Sequence, residues 1–325
     1  MKSEPRIAIV RALPGLGDLL CVVPALRALR NAQPTARITL IGLPWAAGFV
    51  ERFRHYIDDW LEFPGFPGIP EGWSSPDRVS QFLAQVQEVP FDWAMQMHGS
   101  GAISNLFTVL LGAKANAGFF LPGQYCPDSQ RFLPYPEAEP EVRRHLRLLE
   151  FLGVPLQGEE LEFPLKKADW EELASLERPQ QPYVCVHPGA SVAARRWSPL
   201  GFASVADALA RRGYQIVLTG TAAERELTQT VAQAMQCSAL DLAGRTSLGA
   251  LAALLQQAAL LVCNDTGVSH LAAALEVNSV VIFSDSDPRR WSPLNRQRHR
   301  VILKEAASLQ AVLTAAAHLL EEVYA

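Results

Sequence analysis

The stretch Leu260-Leu261-Val262-Cys263-Asn264-Asp265-Thr266-Gly267-Val268-Ser269-His270-Leu271-Ala272-Ala273-Ala274-Leu275 decides how the chain folds. A short apolar run rich in branched residues stops at Asn-Asp-Thr-Gly, and an alanine- and leucine-rich run follows at once. This is a buried strand feeding directly into the N-terminus of a helix. Thr266 and Gly267 stand at the turn, where unpaired backbone N–H groups and the helix dipole favour an anion, most often phosphate. Asp265 is a carboxylate at the C-terminal end of that strand, the edge at which open α/β sheets bind ligands. A hydroxyl, a glycine, a carboxylate and a helix start at one spot point to a phosphate with something polyhydroxylated beside it.

The same unit recurs along nearly the whole chain. In the first half, strands are predicted over 7–11, 38–42, 60–63, 93–97 and 117–121, with helices over 19–31, 76–88, 103–111 and 141–152. In the second half, strands are predicted over 183–187, 215–219, 240–242, 260–264, 280–283 and 301–303. The helices there cover 199–212, 222–235, 248–258, 268–275 and 305–324. Such alternation calls for parallel sheets covered on both faces. With 325 residues, two cores of roughly 150 residues are expected. The segment 153–164 carries Pro155, Gly158 and Pro164 amid polar residues and reads as the linker, giving domains 1–160 and 161–325. The expected fold class is α/β, two Rossmann-like doubly wound domains facing a ligand cleft. The last helix has the option of packing back on the first domain.

Composition narrows the function. A net charge of −4 provides no basic excess for neutralising nucleic-acid phosphates, so nucleic acid is not an expected partner. The five cysteines are scattered without CxxC or CxxH spacing, and most lie in apolar runs, which fits a reduced, cytoplasmic setting. Met1-Lys2-Ser3-Glu4-Pro5-Arg6 leads into a short strand rather than a signal peptide. No apolar run approaches the ~20 residues of a membrane span. A soluble protein able to touch a membrane surface is expected.

Five further turns carry polar groups at strand ends. Val10-Arg11-Ala12-Leu13-Pro14-Gly15-Leu16-Gly17-Asp18-Leu19-Leu20 invites the dinucleotide fingerprint, but Leu20 takes its third glycine position. Strand two also ends in Gly42-Leu43-Pro44, without the ribose-binding acid. Asp18 is then either a plain helix N-cap or a carboxylate acting as general base. In the second domain His187-Pro188-Gly189-Ala190-Ser191, followed by Arg195 and Arg196, reads as turn chemistry or as a diphosphate clamp. Trp197 there is expected to pack. Gly220, Thr221 and Glu224 form another strand–glycine–helix turn, and Glu224 or Glu226 suits either the helix dipole or a ribose diol. His98-Gly99-Ser100-Gly101 ends the fourth strand of the first half, a weaker candidate. Asp285-Ser286-Asp287 has the look of a metal-binding Asp-x-Asp, but converging ligands are not evident, so no metal is expected.

Taken in order, these segments resemble glycosyltransferase family 9, the bacterial heptosyltransferases of the GT-B fold. The resemblance runs through Gly17-Asp18, Pro24-Ala25-Leu26-Arg27, His187-Pro188-Gly189-Ala190-Ser191 and Arg195-Arg196-Trp197-Ser198-Pro199. It continues through Asp241-Leu242-Ala243-Gly244 to the segment from Asp265 to Leu275. It implies inverting transfer of a sugar, typically a heptose, from an ADP-activated donor onto a lipopolysaccharide core or another glycan or glycolipid. The setting implied is the cytoplasm or the cytoplasmic face of the inner membrane. Asp18 matches the catalytic aspartate, and Arg195 falls where a lysine usually contacts donor phosphate. Asp265 matches the carboxylate on the donor sugar, Thr266 and Gly267 match the phosphate-binding turn, and Glu224 is the nearest candidate for the ribose contact. Gly17, His187, Ser191, Arg196, Gly220 and His270 join the donor set, and His98 with Ser100 the acceptor side.

Two departures stand out. Ser284-Asp285-Ser286-Asp287-Pro288 replaces the more usual Gly-Pro-Thr-Asp-Pro. His98-Gly99-Ser100-Gly101-Ala102 replaces a Gln-Gly segment with a basic residue soon after, which weakens the case for a strongly anionic acceptor. GT-B enzymes generally need no metal, so no cofactor is implied. The rival readings are a sugar-nucleotide 2-epimerase, which acts without an acceptor, and a non-catalytic nucleotide-sugar binding protein.

Overall fold

Strand–helix alternation yields two fully parallel sheets in a computed structural model that describes residues 4–321. The first contains β1 (Arg6–Val10), β2 (Arg37–Gly42), β3 (Asp59–Glu62), β4 (Trp93–Gln96), β5 (Ala115–Phe120) and β6 (Phe132–Pro134), ordered β3-β2-β1-β4-β5-β6. The second contains β7 (Tyr183–His187), β8 (Gln215–Leu218), β9 (Ala239–Asp241), β10 (Leu260–Asn264), β11 (Ser279–Phe283) and β12 (His299–Leu303). Its order is β12-β11-β10-β7-β8-β9. The chain divides into two compact units, Met1–Glu160 and Leu161–Ala325, with one sheet in each. Counted from the first strand of its own unit, each sheet runs 3-2-1-4-5-6, the Rossmann order. The doubly wound α/β class expected from the sequence is therefore the one observed.

Each sheet is buried on both faces, so its central strands are almost wholly apolar. In the second unit Val184, Val186, Ile216, Leu218, Val262, Val280 and Ile282 pack against Phe202, Val205 and Leu209 of the helix Pro199–Ala210. Val312 and Leu319 of the helix Leu309–Glu321 complete that core. In the first unit, Val10, Ile41, Phe63, Phe91 and Phe107 form the centre. Phe107 is fully buried, its ring edge-on to those of Phe63 and Phe66 at 5.0 and 5.4 Å.

Several elements depart from the sequence expectation. The helix predicted over 19–31 is two, Leu16–Leu20 and Val23–Ala32, because Pro24 has no N–H to continue the first. The strand β6 and the helices Ala46–Arg52 and Lys167–Ser175 were not anticipated; β6 has three residues, ends in Pro134 and is an edge strand. The final helix begins at Leu309, after a short turn over Lys304–Ala306. Its predicted end at Tyr324, like the N-terminal Met1–Ser3, lies outside the described residues. Among the described residues no helix is long and apolar enough to cross a membrane.

Truncating Phe107 to Ala removes a ring that nothing else can replace. The expected cost to the first unit is roughly 3–5 kcal/mol, read as a lower urea midpoint. A loss of under about 1 kcal/mol would show that the site collapses around the missing ring.

Candidate active site

In a doubly wound sheet the connections leave to opposite faces where the strand order reverses, and the C-terminal strand ends there stay uncovered. That point lies between β7 and β10 in the second unit and between β1 and β4 in the first. The ends of these four strands and the segments that follow them carry His187, Asp265, Asp18 and His98.

In the second unit β10 passes into the helix Gly267–Ala274 through Asp265 and Thr266. No side chain caps the helix: the Thr266 hydroxyl is unused for that purpose, while its carbonyl accepts from the Ser269 N–H (3.0 Å) and hydroxyl (2.7 Å). The Gly267 and Val268 N–H groups and the positive end of the dipole are thus available to an anion. Asp265 is 3% exposed. Burial pushes its carboxyl pKa up, opposed by a hydrogen bond from Ser286 and by the charges of His270 and Arg195. His270, buried on the same helix, stands edge-on to Trp291.

Asn264, the residue before Asp265, is fully buried and holds the loop after β7 at both its ends. Its amide donates to the Pro188 carbonyl (2.8 Å) and its Oδ1 accepts from the Trp197 N–H (2.9 Å). Arg196 closes the same loop, its Nε and Nη2 both donating to the Ala190 carbonyl at 2.9 and 2.8 Å. The two arginines therefore differ. Arg196 is engaged by the backbone, whereas the Arg195 guanidinium makes no hydrogen bond or ion pair among the described residues and acts on Asp265 through its charge. Ser191 is exposed, and Trp197 packs edge-on to Phe202, as expected of it.

The neighbouring turn separates Glu224 from Glu226. Glu224 Oε2 accepts from the Thr221 N–H (2.8 Å) and hydroxyl (2.9 Å), which closes the turn after Gly220. Its Oε1 lies where a β-carbon on Gly189 would come within 2.2 Å, so only glycine at 189 leaves room for this carboxylate. Glu226 is exposed on the helix Arg225–Ala234. His187, at the end of β7, bonds Thr219 through Nδ1 (3.0 Å); its burial pushes the imidazole pKa down, against the pull of Glu224. Asp287 caps the helix Pro288–Trp291 by accepting from the Arg289 N–H and pairs with the Arg289 side chain at 2.9 Å. Asp285 is exposed. Among the described residues no group of three or more His, Cys, Asp or Glu could hold a metal ion.

In the first unit Asp18 occupies the third position of the helix Leu16–Leu20, with Gly15 as the N-cap. Its Oδ2 accepts from the Gly15 N–H at 3.1 Å, and a β-carbon on Gly15 would meet that oxygen at 2.5 Å. Beneath it lies Arg11, with no exposed surface. Arg11 Nε donates to the Asp18 carbonyl (2.8 Å), Nη1 to the Met97 carbonyl, and Nη2 to Glu141 Oε1 (3.2 Å), while Nη2 stands 4.0 Å from Asp18 Oδ1. Glu141 also takes Arg144 and His145 on the same helix. His98 accepts from the Ala12 N–H at Nδ1 (3.1 Å), and burial and the Arg11 charge hold its pKa down at about 4. At neutral pH its proton therefore rides on Nε2, which faces Glu71 Oε2 at 3.3 Å without hydrogen-bond alignment. Ser100 is half-buried in the following turn.

Sequence reasoning missed Asn264, Arg11, Glu141 and Ser286. For the first two a signal existed, a polar residue closing an apolar strand run. Glu141 and Ser286 are joined to the site only by tertiary contact.

Residues 79–317 match the glycosyltransferase family 9 (heptosyltransferase) pattern. The chain belongs to this family. Asp18 lies before the matched residues, but the structural likeness runs through both units. The family 9 glycosyl transferase of Veillonella parvula superposes with a TM-score of 0.80 at 22% identity, covering 99% of each chain. ADP-heptose LPS heptosyltransferase II of E. coli gives 0.77 at 23% identity, over 98% of this chain and 100% of that one. The UDP-GlcNAc 2-epimerase of Methanocaldococcus jannaschii is more distant, at 0.56 and 9% identity over 97% and 92%. These likenesses establish the GT-B heptosyltransferase fold. No curated protein matches by sequence.

The Gly189–Glu224 contact makes a sharp expectation for this family 9 member. Gly189→Ala forces the carboxylate to swing away at little cost to folding, because the clashing atoms end a flexible side chain. If Glu224 contacts a nucleotide ribose, as the resemblance implies, ADP affinity measured by calorimetry should fall to the level of Glu224→Ala, about tenfold, with unchanged circular dichroism. Wild-type affinity in Gly189→Ala would remove Glu224 from the nucleotide contacts.

Proposed function

We propose that this glycosyltransferase is an inverting heptosyltransferase that uses ADP-heptose. The observation that carries the reading is the uncapped helix N-terminus at Thr266–Gly267, flanked by a buried Asp265 and an unengaged Arg195. That combination suits a diphosphate with a polyhydroxylated sugar attached. The E. coli relative is an ADP-heptose enzyme of lipopolysaccharide assembly, which supports the same donor here and a lipopolysaccharide-core or related glycan acceptor.

In this reading the diphosphate lies on the amides of Thr266–Val268 with Arg195 beside it, and Arg196 keeps the clamp loop in shape. Asp265 orients the sugar hydroxyls, and Glu224 takes the ribose. Asp18 accepts the proton of the acceptor hydroxyl as its oxygen attacks the anomeric carbon from the face opposite the diphosphate. The carbon–oxygen bond to the diphosphate breaks, ADP leaves, and the configuration inverts. Negative charge gathering on the leaving group falls on Arg195 and the helix N-terminus, which perform the neutralisation a metal supplies elsewhere. His98 and Ser100 belong to the acceptor side. The enzyme works on the cytoplasmic side, where the acceptor glycolipid is presented.

Asp18→Asn should lower turnover of ADP-heptose with acceptor by roughly 10²–10⁴-fold while ADP affinity stays near normal. Turnover equal to wild type would end the base assignment. Arg195→Ala should raise the donor Kd about tenfold or more, and an unchanged Kd would remove it from the diphosphate. Interconversion of the free donor without acceptor would favour the epimerase reading, and no turnover with any nucleotide sugar the silent binding module.

A further inference from the structure

The loop Ser284–Asp287 delivers one side chain to the donor half-site. The Ser286 hydroxyl donates to Asp265 Oδ2 across 21 residues of sequence. The loop that brings it is anchored on both sides. Phe283 ends β11 in the sheet, and Asp287 with Pro288 starts the helix Pro288–Trp291, closed by the Ser292 hydroxyl on the Pro288 carbonyl. Ser286 therefore sits on a fixed platform.

A buried carboxylate must have its lone pairs satisfied, and an unpinned one rotates about its last torsion. Among the groups around Asp265, Arg195 and His270 act through charge and Cys263 lies on its own strand, whereas Ser286 binds a particular oxygen. We propose that Ser286 is a positioning residue for the donor sugar. Its hydroxyl pins Oδ2 of Asp265, so that Oδ1 is aimed at the hydroxyls of the sugar. This makes the serine a determinant of sugar recognition rather than of nucleotide recognition. The inference rests on Asp265 being the sugar contact.

The hydrogen bond also favours the ionised carboxylate, against the burial that pushes its pKa up. Without it the carboxylate takes up a proton at higher pH, and the acid limb of the pH–rate profile shifts upward.

The test compares Ser286→Ala and Ser286→Thr, with ADP-heptose as donor and ADP as the sugar-free probe. In Ser286→Ala the KM for ADP-heptose should rise about tenfold and the acid limb of kcat/KM move to higher pH, with ADP affinity within about twofold of wild type. Ser286→Thr should restore both. An unchanged KM and acid limb in Ser286→Ala, or an equal loss of ADP affinity, would overturn the proposal. Asp265→Asn separates the two levels. If it weakens ADP-heptose binding while Ser286→Ala does not, only the positioning role falls. If it leaves donor binding untouched, the sugar-contact reading of Asp265 falls, and the role of Ser286 falls with it.

Discussion

The structure depends on a property of parallel sheets that no single residue controls. Every strand must return by a crossover over one face, and each sheet here is wound outward in both directions from the pair β1/β4 or β7/β10. Where winding reverses, the two departing connections part, and strand ends are left without a covering helix. Backbone groups in such a gap need partners from the loops themselves. The side chains that provide them are those at the strand ends: Arg11 on the Asp18 and Met97 carbonyls, His98 on the Ala12 amide, Asn264 on Pro188 and Trp197. These strand-end polar groups are therefore also the groups that finish the fold.

That double duty governs their protonation. Burial drives His98 and His187 to the neutral imidazole and resists ionisation of Asp265, while Cys185 and Cys263 become inert thiols with raised pKa. Neutral histidines donate or accept without adding charge. The positive field in the second unit is left to Arg195 and the N-terminus of the helix Gly267–Ala274.

Much of this was legible in the chain. Leu260–Asn264 reads as a buried strand because four consecutive apolar residues fit nothing else before an Asn-Asp-Thr-Gly turn, and the alternation of such runs with helical periods dictates two doubly wound units. The strand β6 was illegible, since Phe132-Leu133-Pro134 is too short for a period and gains its identity from β5. The division of labour between Arg195 and Arg196 was hidden too, because it depends on which guanidinium reaches the Ala190 carbonyl. Glu224 is set apart from Glu226 by its bonds to Thr221 and by the space that Gly189, thirty-five residues away, leaves for it. Local pattern reports the scaffold and the strand-end polar groups; it is silent on partners that meet through tertiary packing.

The contact between Arg11 and Glu141 joins residues 130 positions apart, both shielded from solvent. Glu141 is shared with Arg144, so the two positions are not equivalent. Losing Glu141 takes the carboxylate from two buried arginines, at a cost of roughly 3–5 kcal/mol, whereas losing Arg11 leaves Glu141 paired with Arg144. Among descendants of this sequence an uncharged residue at 11 should therefore be tolerated more readily than one at 141.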